Sequence, residues 1–274
     1  MNGHALLEAR AVTIRFGGLR AVDDVSAAFA PGELVGIIGP NGAGKTTFFN
    51  ALSGVQPPNS GDLFVQGRRL TGARPHRYAR HGVARTFQTP RTFGELSVGA
   101  NIDFGLKFAG RGRSGSLMHP WGLRLRRAER DSPPSERPGG GSWLLKDAAS
   151  ILRLIGLEAQ AALPAAAITP SQQRLLEIGM ALATRPRLLL LDEVAAGLTE
   201  AEVVSMAQLI RRLRDDLDLT VIWIEHAVAT LLKHVERAIV LHQGRKIADG
   251  LPAEVARNVE VIEAYLGDEM VEVA

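Results

Sequence analysis

The stretch from Gly36 to Phe48, GIIGPNGAGKTTF, constrains the fold more than any other part of this sequence. It matches G-x-x-x-x-G-K-[ST] from Gly39 to Thr46, directly after the nearly continuous apolar run ELVGIIG. Such a run suits a strand buried on both faces, and Pro31-Gly32 marks the turn into it. Gly39, Gly42 and Gly44 let the backbone turn tightly. With Pro40, Asn41 and Ala43 they make a P-loop, whose N–H groups face a nucleotide's β-phosphate. Lys45 then reaches the β- and γ-phosphates, Thr46 offers a hydroxyl to Mg2+, and Thr47 follows beside the phosphates. KTTFFNALSG should be a helix beginning near Gly44, its positive end on the anion and Gly54 as its stop.

Downstream, LLLLDEVAAGL (Leu188–Leu198) runs an apolar strand into two adjacent carboxylates. Burying either charge alone is costly, so a cation is expected at the strand's end. In a P-loop protein, a strand beside the P-loop strand ends in an Asp that holds Mg2+, and Asp192 fits that place. Glu193 is then the candidate to orient and polarise the water that attacks the γ-phosphate.

Strand and helix signals alternate on both sides of a helical middle. AVTIRF, RLLLLDE and TVIWIEH read as strands, and RAIVLHQGRKIADG reads as a hairpin turning near Gln243-Gly244. AEVVSMAQLIRRLRDDL puts Val203, Met206, Ile210, Leu213 and Leu217 on one helical face. Between them DAASILRLIGLEAQ has helical spacing, whereas Gly110–Ser142 is rich in Arg, Pro, Ser and Gly and reads as a solvated surface excursion. This order implies a mainly parallel α/β sheet with an inserted helical subdomain.

Composition removes several function classes. A net charge of +3 on 274 residues is too mild for a nucleic-acid binder, and no nucleic-acid partner is expected. The absence of cysteine removes disulfides, zinc thiolate sites and thiol nucleophiles. The opening MNGHALLEAR has neither the basic nor the apolar part of a signal peptide. No apolar run reaches the roughly 18 residues of a membrane span, so work at a membrane would require partners.

With these motifs in order, the chain resembles the ATP-binding subunits of ABC transporters over nearly its whole length. The resemblance implies a P-loop NTPase core of the ABC ATPase kind, with a mainly parallel sheet, N-terminal antiparallel strands and an inserted helical subdomain. It places an ATP-binding domain at 6–252, the helical subdomain at about 89–171 and a C-terminal extension at 253–274. It implies that Phe16 in TIRFGGLRAVDDVS stacks on adenine. Gln88 in ARTFQTPRTF would sense Mg2+ and the membrane subunit, and His226 in VIWIEH would contact the γ-phosphate. RFGGLRAVDDVS, SQQRLLEIGMALATRPRLLLLDE, AAGLTEAE and NVEVIEAYLG resemble the branched-chain amino acid, LivG-like subgroup most.

The resemblance further implies ATP and Mg2+ as cofactors and a second ATP-binding subunit, in a homo- or heterodimer. Two membrane permease subunits and a periplasmic or extracellular substrate-binding protein would complete an importer. The chain would sit peripherally on the cytoplasmic face of the inner membrane. One segment departs from the family pattern. Where a glycine-rich signature closes the partner's nucleotide site, this chain has ITPSQ (Ile168–Gln172). Thr169 keeps a hydroxyl and Gln172 keeps its amide, but Pro170 removes an N–H and Ser171 replaces a glycine. Val194, Thr199 and Met180 stand where proline, aspartate and arginine are usual. A catalytically weak member of an asymmetric pair and a soluble, non-transport ABC ATPase are the competing readings.

Overall fold

In a computed structural model, which describes residues 5–109, 145–225 and 228–271, the chain opens with an antiparallel sheet. β1 (Leu7–Phe16) and β2 (Leu19–Phe29) form a hairpin, extended by β4 (Ser60–Val65) and β5 (Arg68–Arg69) in the order β2-β1-β4-β5. AVTIRF is the second half of β1. Ala11, at φ +49°, lies where the register to both neighbours slips, as at a β-bulge.

The second sheet carries the site. It comprises β3 (Leu34–Ile38), β6 (Val83–Arg85), β7 (Leu188–Asp192), β8 (Thr220–Ile224), β9 (Arg237–His242) and β10 (Arg245–Gly250), in the order β10-β9-β3-β8-β7-β6. All neighbours are parallel except β9 and β10. That hairpin turns at Gln243 (φ +47°) and Gly244 (φ +81°), the two positive values that a two-residue type I′ turn requires. One expectation needs correction. The strand ending in Asp192 is not beside the P-loop strand: β8 lies between β3 and β7 and pairs with both. All three are short apolar runs buried at every residue, so nothing in their composition marks lateral order.

Side chains alternate between two cores, as a strand period of two demands. Val35, Ile37, Leu188, Leu190, Ile222 and Ile224 pack with Phe48 and Phe49 of α1 (Lys45–Leu52) and with the antiparallel sheet. Leu34, Ile38, Leu189, Leu191, Val221 and Trp223 face the other helices. Among those, α6 (Glu200–Leu217) buries Met206, Ile210 and Leu213 as its spacing predicts, and Thr199 caps it with Glu202.

After the short α2 (Pro75–Arg80), which leads into β6, the chain forms α3 (Val98–Ala109), α4 (Ala148–Ile155) and α5 (Pro170–Ala183) before β7. α4 starts at Asp147, whose carboxylate caps Ser150, and stops at Gly156 in the left-handed region. The helical spacing of DAASILRLIGLEAQ is thereby cut in two. α5 crosses α3 and α4 closely. A methyl on Gly179 would come within 2.6 Å of Ile155 and 2.8 Å of Ile102. The Gly110–Ser142 excursion lies outside the described residues.

Candidate active site

The loop from Gly39 to Gly44 joins β3 to α1, with φ of +152° at Gly39, +73° at Gly42 and +96° at Gly44. Two of these glycines also serve packing. A Cβ on Gly39 would strike the Leu241 carbonyl of β9, and one on Gly44 the Ala21 carbonyl of β2. The loop is thus wedged between the two sheets. Ala43 is buried and its carbonyl accepts from the Gly244 N–H at 3.1 Å, whereas Asn41, Gly42 and Thr46 are exposed. Lys45 is only 5% exposed, and its ammonium donates to the carbonyls of Gly39 (2.6 Å) and Pro40 (2.8 Å). Burial pulls its pKa down and the nearby Glu193 charge opposes that. Thr47 is half-buried one residue beyond Thr46. Phe16 ends β1 and is half exposed.

Asp192 and Glu193 are both buried at the end of β7. The cation that meets Asp192 is Arg85 at the end of β6, with Nη2 3.2 Å from the Asp192 carboxylate. Arg85 also donates to Asn50 (2.8 Å) and Ser53 (2.9 Å) at the end of α1. Its guanidinium lies over the rings of Phe49 and Phe87. The backbone N–H of Asp192 donates to Thr86 Oγ1 at 3.1 Å.

Glu193 has φ +50°, a region that costs a non-glycine residue about 1–2 kcal/mol. Its surroundings impose that conformation. Its N–H donates to Ile224 and its carbonyl accepts from Arg174 Nη1. Two residues on, the Ala195 N–H donates to the Glu225 carboxylate at 2.7 Å. Glu225 also accepts from Trp223 Nε1, and burial, with Glu193 nearby, raises its pKa. The Glu193 side chain accepts from Gln88 Nε2 at 2.8 Å.

Gln88 and Glu193 are therefore in direct contact, Lys45 feels the Glu193 charge, and Asp192 adjoins. His226 lies outside the described residues. Thr169, Ser171 and Gln172 sit at the start of α5, engaged with one another. Thr169 Oγ1 accepts from the Gln172 N–H (3.3 Å), the Gln172 amide oxygen accepts from the Thr169 N–H (3.0 Å), and the Ser171 hydroxyl is 3.1 Å from Thr169 Oγ1. Pro170 occupies the first helical position, where its missing N–H costs the helix nothing.

The donors near the P-loop fit Mg2+. The Thr46 hydroxyl, Asp192 carboxylate and Gln88 amide are hard oxygen ligands, and Mg2+ commonly takes one or two such groups with phosphate oxygens and water. Among the described residues no group of three or more His, Asp or Glu side chains could hold a metal by itself. Sequence reasoning missed Arg85, Arg174, Glu177 and Glu225. For the two carboxylates a signal existed: Glu177 interrupts the apolar LLEIGMALA, and Glu225 ends the apolar run TVIWI.

The ABC transporter family model matches residues 22–196, and the model for the branched-chain amino acid ATP-binding cassette transporter matches residues 245–271. The chain is 37% identical to the high-affinity branched-chain amino acid transport ATP-binding protein BraF of Pseudomonas aeruginosa, over 96% of this chain and 98% of that one. It is likewise 37% identical to the corresponding LivG protein of Escherichia coli K12, over 96% and 98%. A solved ATP-binding cassette of an ABC transporter superposes with a TM-score of 0.77 at 27% identity, covering 95% of this chain and 98% of that one. Matched through its core by the family model and end to end by these relatives, the chain belongs to the ABC transporter family, in its branched-chain amino acid ATP-binding group.

Proposed function

We propose that this chain is the ATP-hydrolysing subunit of an importer for branched-chain amino acids or related small amides. The observation that carries the hydrolytic reading is the buried Glu193 carboxylate, held by Gln88 beside the P-loop lysine and Asp192. In this reading Phe16 stacks on adenine, and the N–H groups of Asn41–Thr47, at the loop and the start of α1, receive the phosphates. Lys45 exchanges its loop carbonyls for β- and γ-phosphate oxygens. Thr46, Asp192 and Gln88 would hold Mg2+, which when bound neutralises charge on the phosphates.

Glu193 accepts a hydrogen bond from a water, whose oxygen attacks the γ-phosphorus as the bond to the β–γ bridging oxygen breaks. ADP leaves with that bond's electron pair, and the water's proton passes to the Glu193 carboxylate. Gln88 fixes the carboxylate, and His226 contacts the γ-phosphate. A second ATP-binding subunit supplies Thr169, Ser171 and Gln172, or their equivalents, across the dimer.

The substrate class rests on the relatives, whose names record high-affinity branched-chain amino acid transport. The relatives' role in transport supports a peripheral subunit on the cytoplasmic face working through two permeases and a substrate-binding protein. Among the described residues no helix is long and apolar enough to cross a membrane. The division into 6–252, with helical residues 89–171 inserted, and a 253–274 extension is part of the proposal. The test is uptake by proteoliposomes holding this chain with the two permeases and binding protein of a branched-chain amino acid importer, with ATP inside. Labelled leucine, isoleucine or valine should accumulate with ATP and not without it. Uptake indifferent to ATP would overturn the proposal.

A further inference from the structure

Two side chains one turn apart on α5 reach the two halves of the Gln88–Glu193 hydrogen bond. Arg174 Nη1 donates to the Glu193 carbonyl. Glu177 Oε1 accepts from the N–H groups of Phe87 (3.2 Å) and Arg91 (3.1 Å), which bracket Gln88. The last ladder bond before this loop runs from the Thr86 N–H to Leu190, and the segment from Thr86 to Phe93 has no regular secondary structure. Its backbone therefore depends on side-chain partners. Glu177 is 5% exposed in an otherwise apolar stretch of helix, where packing alone would favour an apolar residue of similar volume. Its carboxylate accepts from the loop backbone, with the Arg174 and Arg85 charges near enough to act on it.

We propose that Glu177 is a positioning residue for hydrolysis, clamping the backbone on both sides of Gln88 so that the Gln88 amide meets the Glu193 carboxylate. Because α5 begins at the Ile168–Gln172 segment, the same helix sets the Gln88–Glu193 spacing and presents the signature to a partner. The inference rests on the roles proposed above for Gln88 and Glu193. Arg85 and Arg91, stacked on Phe87, give the loop a second anchor, so loss of the clamp shifts Gln88 rather than unfolding the loop.

Two substitutions in the full chain separate the acceptor from the charge. Glu177→Gln keeps an oxygen for both N–H groups, whereas Glu177→Met keeps the length and offers no comparable acceptor. Glu177→Met should speed amide exchange at Phe87 and Arg91. It should also lower kcat by about 10-fold or more, as displaced catalytic groups do, with KM for ATP within about 2-fold. Glu177→Gln should stay near the parent in both readouts. Should the Met variant fail to fold, Glu177→Asp, which withdraws the carboxylate by one methylene, is read in the same way. Parent-like exchange in the acceptor-deficient variant, or Gln falling as far as Met, would overturn the proposal. Glu193→Gln run alongside keeps the two readings distinct: parent-rate hydrolysis there sinks the catalytic assignment, while the exchange measurement still decides the clamp.

Discussion

Replacing Arg85 by Met should destabilise this protein far more than the loss of one surface charge. The Arg85–Asp192 pair is nearly enclosed, with side-chain exposures of 11% and 4%. Removing one partner of a buried pair leaves the other charge uncompensated, at a cost of about 3–5 kcal/mol. Burial lowers the Arg85 pKa, with the Asp192 and Glu177 charges opposing, so Asp192 offsets part of the cost of burying the guanidinium. The substitution also strips donors from Asn50 and Ser53, loosening the end of α1 from β6. At roughly 2–4 °C per kcal/mol for a chain of this size, Tm should fall by about 6–20 °C. Urea unfolding of Arg85→Met, Asp192→Asn and the double variant closes the cycle. Because neutral Asn needs no cation, the double variant should be more stable than Arg85→Met alone, with a coupling of about 1–3 kcal/mol. A loss below about 1 kcal/mol for Arg85→Met, or no coupling, would refute this account of the buried carboxylate.

Burial raises the Glu177 carboxyl from 4.5 to about 7, with Arg174, Arg85 and the N–H groups of Phe87 and Arg91 opposing. A pKa raised by folding contributes stability that is full below pH 4.5 and lost as pH rises through about 7. The parent should lose on the order of 3 kcal/mol relative to Glu177→Gln between about pH 4.5 and 8, and an unchanged difference in urea unfolding would contradict this. At the start of α5, Pro170→Gly with Ser171→Gly restores a backbone N–H and close approach, and should raise turnover by about 10-fold or more if the partner contact limits it. Equal ATPase rates for parent and variant, alone and in the assembled transporter, would mean that Thr169 and Gln172 suffice.

The parts legible in the sequence are those in which local geometry and chemistry coincide. The P-loop was readable because Gly39, Gly42 and Gly44 meet a backbone demand that few residues can, between an apolar strand and a helix. The Gln243-Gly244 turn and the buried face of α6 follow from equally local rules. What was hidden depends on contacts far apart in the chain. The need for a cation at Asp192 was evident, but Arg85 lies 107 residues away. The insertion of β8 between β3 and β7 was invisible because three fully buried strands carry the same apolar pattern. Pro170, an apparent defect in the signature, is at home as the first residue of α5, which only the helix boundary reveals.

The measurement that bears most directly on the central claim is ATP hydrolysis by Glu193→Gln, with ATP binding and dimer formation followed in parallel. The amide preserves the shape of the side chain that contacts Gln88 but cannot polarise the attacking water as a carboxylate does. Binding should match the parent, hydrolysis should fall by about 10²-fold or more, and an ATP-bound dimer should accumulate on size exclusion. Hydrolysis at the parent rate, with ATP bound normally, would show that Glu193 is not the catalytic carboxylate.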